Sequence, residues 1–75
     1  MKDIVEIIAK SLVDHPDQVV VEEKDDDRMT VFELHVAQDD MGKVIGKQGR
    51  IAKAMRTVVK AAATRENKKV TVEII

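Results

Sequence analysis

The first fifteen residues carry apolar side chains at helical spacing. Apolar positions recur at intervals of three and four residues, which predicts an amphipathic helix with a buried stripe of Ile4, Ile7, Ile8, Ser11 and Leu12. Asp3 lies in the first turn, where the helix dipole favours an acidic group. We expect the helix to end at His15-Pro16, because a residue that precedes proline is disfavoured in the helical conformation.

Two strands are predicted after this helix. Consecutive valines favour a strand over residues 18–23, and alternation of apolar and polar positions predicts a second strand over residues 29–36. In the second strand Phe32 falls on the apolar side and His35 on the solvent side. The intervening segment KDDDR, residues 24–28, is expected to form a hydrated turn or a weak site for a divalent cation.

The second half of the chain predicts a short helix, a glycine loop, a long helix and a closing strand. Asp39 or Asp40 is the expected N-cap of the short helix. The long helix has a predicted apolar stripe of Ile51, Met55, Val58, Val59 and Ala62, and a basic side of Arg50, Lys53, Arg56 and Lys60. A turn over residues 67–69 leads to a strand over residues 70–75.

The order of these elements, α-β-β-α-α-β, predicts an α+β fold. The simplest arrangement is a two-layer sandwich with a three-stranded mixed sheet and the helices on one face. A helical crossover joins the last two strands, which are therefore expected to run parallel. The order of strands within the sheet is not predicted. A chain of 75 residues accommodates one domain, over residues 1–75.

Composition excludes several classes of protein. The sequence has no cysteine, which excludes disulfides, zinc-thiolate sites and thiol catalysis. Its apolar runs are far shorter than the roughly 20 residues that cross a bilayer. The first ten residues include Asp3 and Glu6 and lack the long apolar stretch of a signal peptide. We therefore expect a cytoplasmic protein with no membrane association.

Charge is divided unequally between the two halves of the chain. Residues 1–40 hold four basic and twelve acidic side chains, whereas residues 41–75 hold nine basic and two acidic ones. Such asymmetry indicates an anionic partner for the basic half. The alternative is that the two halves attract each other within the fold. That alternative explains the charges but not the glycines.

All three glycines, Gly42, Gly46 and Gly49, lie within eight positions in the basic half. A Gly-x-x-Gly loop before a helix lets the chain turn sharply and exposes backbone N–H groups that receive a phosphate. The spacing does not match G-x-x-x-x-G-K-[ST], because three residues separate the first two glycines, and it does not match G-x-G-x-x-G. Binding of a mononucleotide or a dinucleotide is therefore not expected.

The stretch VIGKQGRIAKAM, residues 44–55, resembles the signature of the KH domain, whose GxxG loop clamps about four nucleotides of a single strand. Aliphatic residues flank the loop, a short helix precedes it and a long helix follows. Because the extra helix and strand come first, the order resembles the type II, prokaryotic arrangement. Together with LVDHPDQVVV, residues 12–21, the chain is similar to the KhpA (YlqC-like) family over essentially its whole length.

This resemblance implies a cytoplasmic bacterial protein that binds single-stranded RNA, acts as an RNA chaperone or post-transcriptional regulator and is linked to cell elongation. It also implies a homodimer and a heterodimer with a second KH protein of the KhpB (Jag or EloR) type, with no cofactor. The residues expected to contact RNA are Lys43, Gly46, Lys47, Gln48, Gly49, Arg50 and Lys53. Val44, Ile45 and Ile51 are expected either in the core or in the floor of a binding groove.

The sequence offers two alternatives to RNA binding. Catalysis is not expected, because His15, His35 and the aspartates have no serine or cysteine nucleophile nearby in the sequence. The second alternative is a protein–protein interaction module, a dimerising KH-like scaffold in which RNA contact is secondary. Met41, Met55 and the alanines of the long helix would serve such an interface equally well.

Overall fold

A computed structural model describes residues 1–26 and 28–75. In this part of the chain the regular elements are α1 (Lys2–Leu12), β1 (Val20–Asp25), β2 (Thr30–His35), α2 (Met41–Ile45), α3 (Arg50–Arg65) and β3 (Val70–Ile74). Single 3₁₀ turns precede β1, α2 and α3. The predicted α+β class and the predicted order of helices and strands are therefore confirmed.

The three strands form one mixed sheet in the order β1-β2-β3. β1 and β2 are antiparallel, with Phe32 opposite Glu23, and β2 and β3 are parallel, with Phe32 opposite Val72. The predicted parallel pairing of the last two strands is confirmed. Because β2 is central, its buried side chains reach both neighbouring strands and the helices that cover one face.

The core lies between this sheet and the helices. Phe32 and Leu34 supply its largest side chains and are fully buried, as the alternation in the second strand predicts. Val72 from β3 lies beside Phe32 on the same face. The other buried apolar residues of this cluster are Val5, Ala9, Val19, Val21, Val44, Met55, Val59, Ala63 and Val70.

The predicted stripe of α1 is only partly correct: Ile4 and Ile8 pack against the core, but the other predicted positions, Ile7, Ser11 and Leu12, are exposed. Val5 and Ala9 are the buried residues, while Ile7 is 65% exposed. Apolar side chains occupy more than one face of this helix, so spacing alone does not select the buried face. The short Ala9 side chain allows close approach to the core. The helix also ends at Leu12, before the predicted His15-Pro16, since Val13 is already extended.

β1 lies two residues later than predicted. Residues Pro16–Gln18 form a 3₁₀ turn, and the strand continues through Lys24 and Asp25, which were predicted to belong to the turn. These two residues pair with β2, and the Lys24 ammonium lies 3.1 Å from the carboxylate of Glu33. Asp27, part of the predicted cation site in residues 24–28, lies outside the described residues.

The predicted stripe of α3 is correct at Met55 and Val59 but not at Val58, which is 51% exposed. The buried positions on either side of that pair are Ala52 and Ala63. Alanine permits close packing of the helix, so Ala52 and Ala63 share the buried face with Met55 and Val59. The larger valine at position 58 lies outside it.

Asp40 precedes α2, as predicted for an N-cap, but its side chain does not cap that helix. Its two carboxylate oxygens accept the backbone N–H groups of Asp14, at 3.1 Å, and of His15, at 3.0 Å. The ammonium of Lys43 lies 3.4 Å from the same carboxylate. Asp40 is fully buried, so this carboxylate connects the segment after α1 with the start of α2.

Burial alone raises the pKa of the Asp40 carboxyl, but the N–H groups of Asp14 and His15 and the ammonium of Lys43 outweigh it. The pKa of Asp40 is therefore held below its ordinary value. A lowered pKa in the folded state means that the charged carboxylate stabilises the fold. That stabilisation is present above the unfolded-state pKa of about 3.9 and is lost as the pH falls through the folded-state value.

We predict that Asp40→Asn lowers the melting temperature at pH 7 by several degrees, because it removes the charge and one of two acceptor oxygens. Thermal unfolding followed by circular dichroism measures this. The difference from the wild type should narrow as the pH falls below about 3.9. Asp39→Asn is the matched control, since the Asp39 side chain is 82% exposed. Equal melting temperatures for the two variants at pH 7 would contradict this role of Asp40.

Candidate nucleic-acid interface

The segment between α2 and α3 is a tight turn with three residues at positive φ. Gly46 has φ +77° and ψ 176°, Gln48 has φ +57° and Gly49 has φ +72°. Glycine tolerates such angles, whereas for the glutamine they are uncommon. The glycines in the sequence predict the sharp turn. The left-handed backbone at Gln48 could not be predicted, because glutamine rarely adopts that conformation.

Gly46 is required by space as well as by φ. A Cβ atom at this position would lie 2.5 Å from Cγ1 of Ile51, closer than non-bonded carbon atoms approach. The same construction at Gly42 or Gly49 meets nothing within 4 Å. Gly46 is therefore the position where the chain passes directly over the first turn of α3.

The turn leaves backbone donors available at its outer side. Gly49 N–H donates to the carbonyl of Gly46 at 3.2 Å, and Arg50 N–H donates to the carbonyl of Lys47. Among the described residues, the N–H groups of Lys47 and Gln48 donate none of the backbone hydrogen bonds that form outside the helices and strands. These two exposed residues precede the sixteen-residue helix α3, whose dipole is positive at this end.

The basic side chains predicted to contact RNA surround this turn. Lys47, Arg50 and Lys53 are exposed, and each lies in the turn or in the first turn of α3. A guanidinium nitrogen of Arg50 lies 3.3 Å from the side-chain oxygen of Gln48, which orients that amide. The turn thus brings three cationic groups and one side-chain amide to the same end of α3.

Lys43 differs from these three cations because it is already paired. Its ammonium contacts the carboxylates of Asp14 and Asp40, and the hydrogen bond to Asp14 raises the pKa of Lys43. Among the ion pairs of residues 1–26 and 28–75, those of Lys43 connect the basic half with the acidic half. Attraction between the two halves therefore accounts for Lys43, while Lys47, Arg50 and Lys53 form no ion pair within residues 1–26 and 28–75.

The Arg56 side chain does not project to solvent with the other basic side chains of α3. Its Nε donates to the carbonyl oxygen of Val72 at 2.8 Å, and its side chain is partly buried against β3. Lys60, one turn later, is exposed.

The aliphatic residues next to the turn differ in burial. Val44 is fully buried and belongs to the core, whereas Ile45 is 36% exposed and Ile51 is half-buried.

The amino-acid sequence matches a known family of KH domains. The family model described as "KhpA/KhpB, KH domain" matches residues 2–74. The chain belongs to the KhpA/KhpB KH-domain family. The predicted resemblance is thereby confirmed, and so is the expectation that the chain is not an enzyme, because this is a family of binding proteins.

Two relatives of this KH domain carry the same name. The chain is 68% identical to "RNA-binding protein KhpA" of Clostridium perfringens over 75 residues, which cover all of both chains. It is 48% identical to the protein of the same name from Listeria monocytogenes, covering 100% of this chain and 99% of the relative. The similarity therefore extends over the whole chain.

Solved structures share the fold of this KH domain. A crystal structure of Aquifex aeolicus Era superposes with a TM-score of 0.70 at 20% identity, and covers 97% of this chain and 28% of that one. A crystal structure of Era in complex with MgGDPNP and nucleotides 1506–1542 of 16S ribosomal RNA has a TM-score of 0.64 at 24% identity, with the same coverage. At this identity the likeness concerns the fold alone.

No helix in the described residues is long and apolar enough to span a membrane.

We predict that Gly46→Ala destabilises the protein by about 1–3 kcal/mol or more, because it combines a strained φ with the collision against Ile51. Gly49→Ala has the strained φ without the collision and should cost less. Chemical denaturation measures both, with Gly42→Ala as the control, because that residue lies in α2 with open space around its Cα. A free energy of unfolding for Gly46→Ala equal to that of Gly42→Ala would contradict the close approach.

Proposed function

We propose that residues 1–75 form one KH domain that binds single-stranded RNA at the turn formed by residues 46–49. The observation that carries this proposal is the turn itself, where positive φ angles and two available N–H groups lie beside exposed cations. The high identity to relatives named RNA-binding protein KhpA supports RNA as the polyanion.

The sugar–phosphate backbone is the part of RNA that this turn accommodates. A phosphate oxygen accepts the N–H groups of Lys47 and Gln48, and the positive end of the α3 dipole adds to the attraction. Gly46 and Gly49 keep the backbone bare, so that the strand approaches closely. Arg50 contributes its charge from the first position of α3.

Long-range attraction comes from the remaining cations. Lys53 is exposed one turn into α3, on the same end as the turn. Lys43 contributes less than the others, because contact with RNA competes with its ion pairs to Asp14 and Asp40. Three phosphate contacts at roughly −0.7 each predict a slope of about −2 for the logarithm of affinity against the logarithm of salt concentration.

The bases are recognised without aromatic stacking. The one aromatic residue of the sequence, Phe32, is 2% exposed and belongs to the core. Partly exposed Ile45 and Ile51 next to the turn offer aliphatic surface instead. An aliphatic floor with no stacking platform limits the affinity of one domain for RNA.

Limited affinity favours action as a dimer, since linking two weak sites increases the overall affinity. We therefore propose a homodimer and a heterodimer with a second KH protein of the KhpB (Jag or EloR) type. In the cytoplasm of a bacterium such a protein acts as an RNA chaperone or post-transcriptional regulator linked to cell elongation. The support for this role is the family to which the chain belongs.

The alternative proposal is a protein–protein interaction module in which RNA contact is secondary. It is favoured by exposed apolar side chains on the helices, chiefly Ile7 of α1 and Val58 of α3. The two functions make different demands on the turn. An interaction module tolerates acidic residues at positions 47 and 48, whereas an RNA clamp does not.

We predict that the double variant Lys47→Asp/Gln48→Asp keeps its fold and loses at least tenfold in affinity for a short single-stranded RNA. Two acidic side chains would repel the phosphate at the N–H groups that otherwise receive it. Fluorescence anisotropy of the labelled RNA at two salt concentrations measures the affinity, and circular dichroism checks the fold. Aspartate tolerates the left-handed backbone at position 48.

The matched control is Asn67→Asp/Lys68→Asp at the opposite end of α3. It changes the net charge by the same amount, and Asn67 also has a φ of +57°. The RNA proposal expects this control to retain most of the affinity. Equal losses in both variants would assign the binding to net charge, and unchanged binding in both would leave the interaction module as the better proposal.

A further inference from the structure

The face of the sheet that carries no helices is lined by a row of glutamates. Glu22 of β1 pairs with Glu33 of β2, and Glu33 pairs with Glu73 of β3. Paired residues project to the same side, so the three carboxylates lie side by side across the sheet. This open face is opposite the core and is separate from the turn at residues 46–49.

A row of like charges on neighbouring strands destabilises a sheet unless a cation compensates it. Among the described strand positions of this face, Lys24 is the one cationic residue. Its ammonium contacts the carboxylate of Glu33 at 3.1 Å. One ammonium thus faces three carboxylates, which leaves the face with an excess of negative charge.

His35 projects to the same face at the end of β2. It lies two residues after Glu33 and pairs with Val20 of β1. On the other neighbouring strand, Ile74 pairs with Leu34, and Ile75 is the residue that follows. The His35 side chain was expected to be exposed, but its Nε2 atom is buried and has no hydrogen-bond partner among the described residues. A buried imidazole nitrogen without a partner is uncommon, because its desolvation is not compensated.

The three groups converge on one point. A ring nitrogen of His35 and one carboxylate oxygen from each of Glu22 and Glu33 all lie within 4.8 Å of one another. Ligands around a tetrahedral Zn²⁺ with bonds of about 2.0–2.2 Å are about 3.4 Å apart. The Glu22 side chain is exposed and has room to rotate toward the other two ligand atoms.

We propose that Glu22, Glu33 and His35 form a binding site for a divalent transition-metal ion such as Zn²⁺. The imidazole ligand favours a transition metal over Mg²⁺, which prefers oxygen ligands. The ion neutralises two neighbouring carboxylates and binds a ring nitrogen of His35, while the ammonium of Lys24 moves to solvent. This site goes beyond the proposed RNA binding and does not depend on it.

The test is isothermal titration of Zn²⁺ into the untagged full chain at pH 7. We expect one saturable site per chain. Loss of even an outer-shell partner typically costs about 10- to 100-fold in metal affinity, so Glu22→Gln and His35→Gln should each weaken binding at least tenfold. Glu22 is exposed, so its variant keeps the test decisive if the His35 variant does not fold.

Two control variants distinguish this site from general attraction to acidic or imidazole groups. Glu73→Gln removes the same charge from the same face, and His15→Gln removes the other histidine of the sequence. Both should bind Zn²⁺ within twofold of the wild type. Nuclear magnetic resonance of the imidazole nitrogens should show Zn²⁺-dependent shifts at His35 and none at His15.

Three results would overturn the proposal. These are the absence of a saturable site, an affinity unchanged in Glu22→Gln, and a loss in His15→Gln or Glu73→Gln as large as in Glu22→Gln. RNA binding by the same protein samples is measured separately, so failure of this site and failure of the RNA proposal are distinguishable.

Discussion

The contact between Gly46 and Ile51 is the constraint on which the candidate interface depends. Any side chain at position 46 would occupy the space of Ile51, so the turn closes tightly only with glycine there. This closeness lets α3 begin at Arg50, directly after the turn. The available N–H groups of Lys47 and Gln48 then stand at the positive end of a sixteen-residue helix. The chemistry proposed for RNA follows from that one close approach.

Charge is separated in space as well as in sequence. The cations around the turn lie at one end of α3, whereas Glu22, Glu33 and Glu73 occupy the open face of the sheet. Lys43 and Asp40 connect the two halves at a buried point near the start of α2. Because few other pairs join the halves within the described residues, the basic end remains available to an external anion and the acidic face to an external cation.

The sequence predicted those features that depend on local residue type. The order of elements, the glycine turn and the buried side of β2 each follow from short-range patterns, and each is confirmed. The buried faces of α1 and α3 were only partly predicted, because several faces of these helices are apolar and the choice between them depends on tertiary packing. Ala9 and Ala63 are buried where Ile7 and Val58 are not.

The candidate sites were predictable to different extents. The turn and its cations are adjacent in sequence, so their proximity needed no knowledge of the fold. The pairing of Lys43 with Asp14, and the proximity of Glu22 to Glu33 and His35, depend on contacts between separate segments. No pattern in a single sequence specifies such register, and the order of strands was likewise available only from the structure.

Backbone amide chemical shifts during titration with a short single-stranded RNA test the central claim most directly. If the turn receives the phosphate backbone, the largest changes should occur at residues 46–50 and in the first turn of α3. Residues of the open sheet face, including Glu22 and His35, should change little. Changes that are largest on that face or on the exposed sides of α1 and α3, with none at Lys47 and Gln48, would contradict the account.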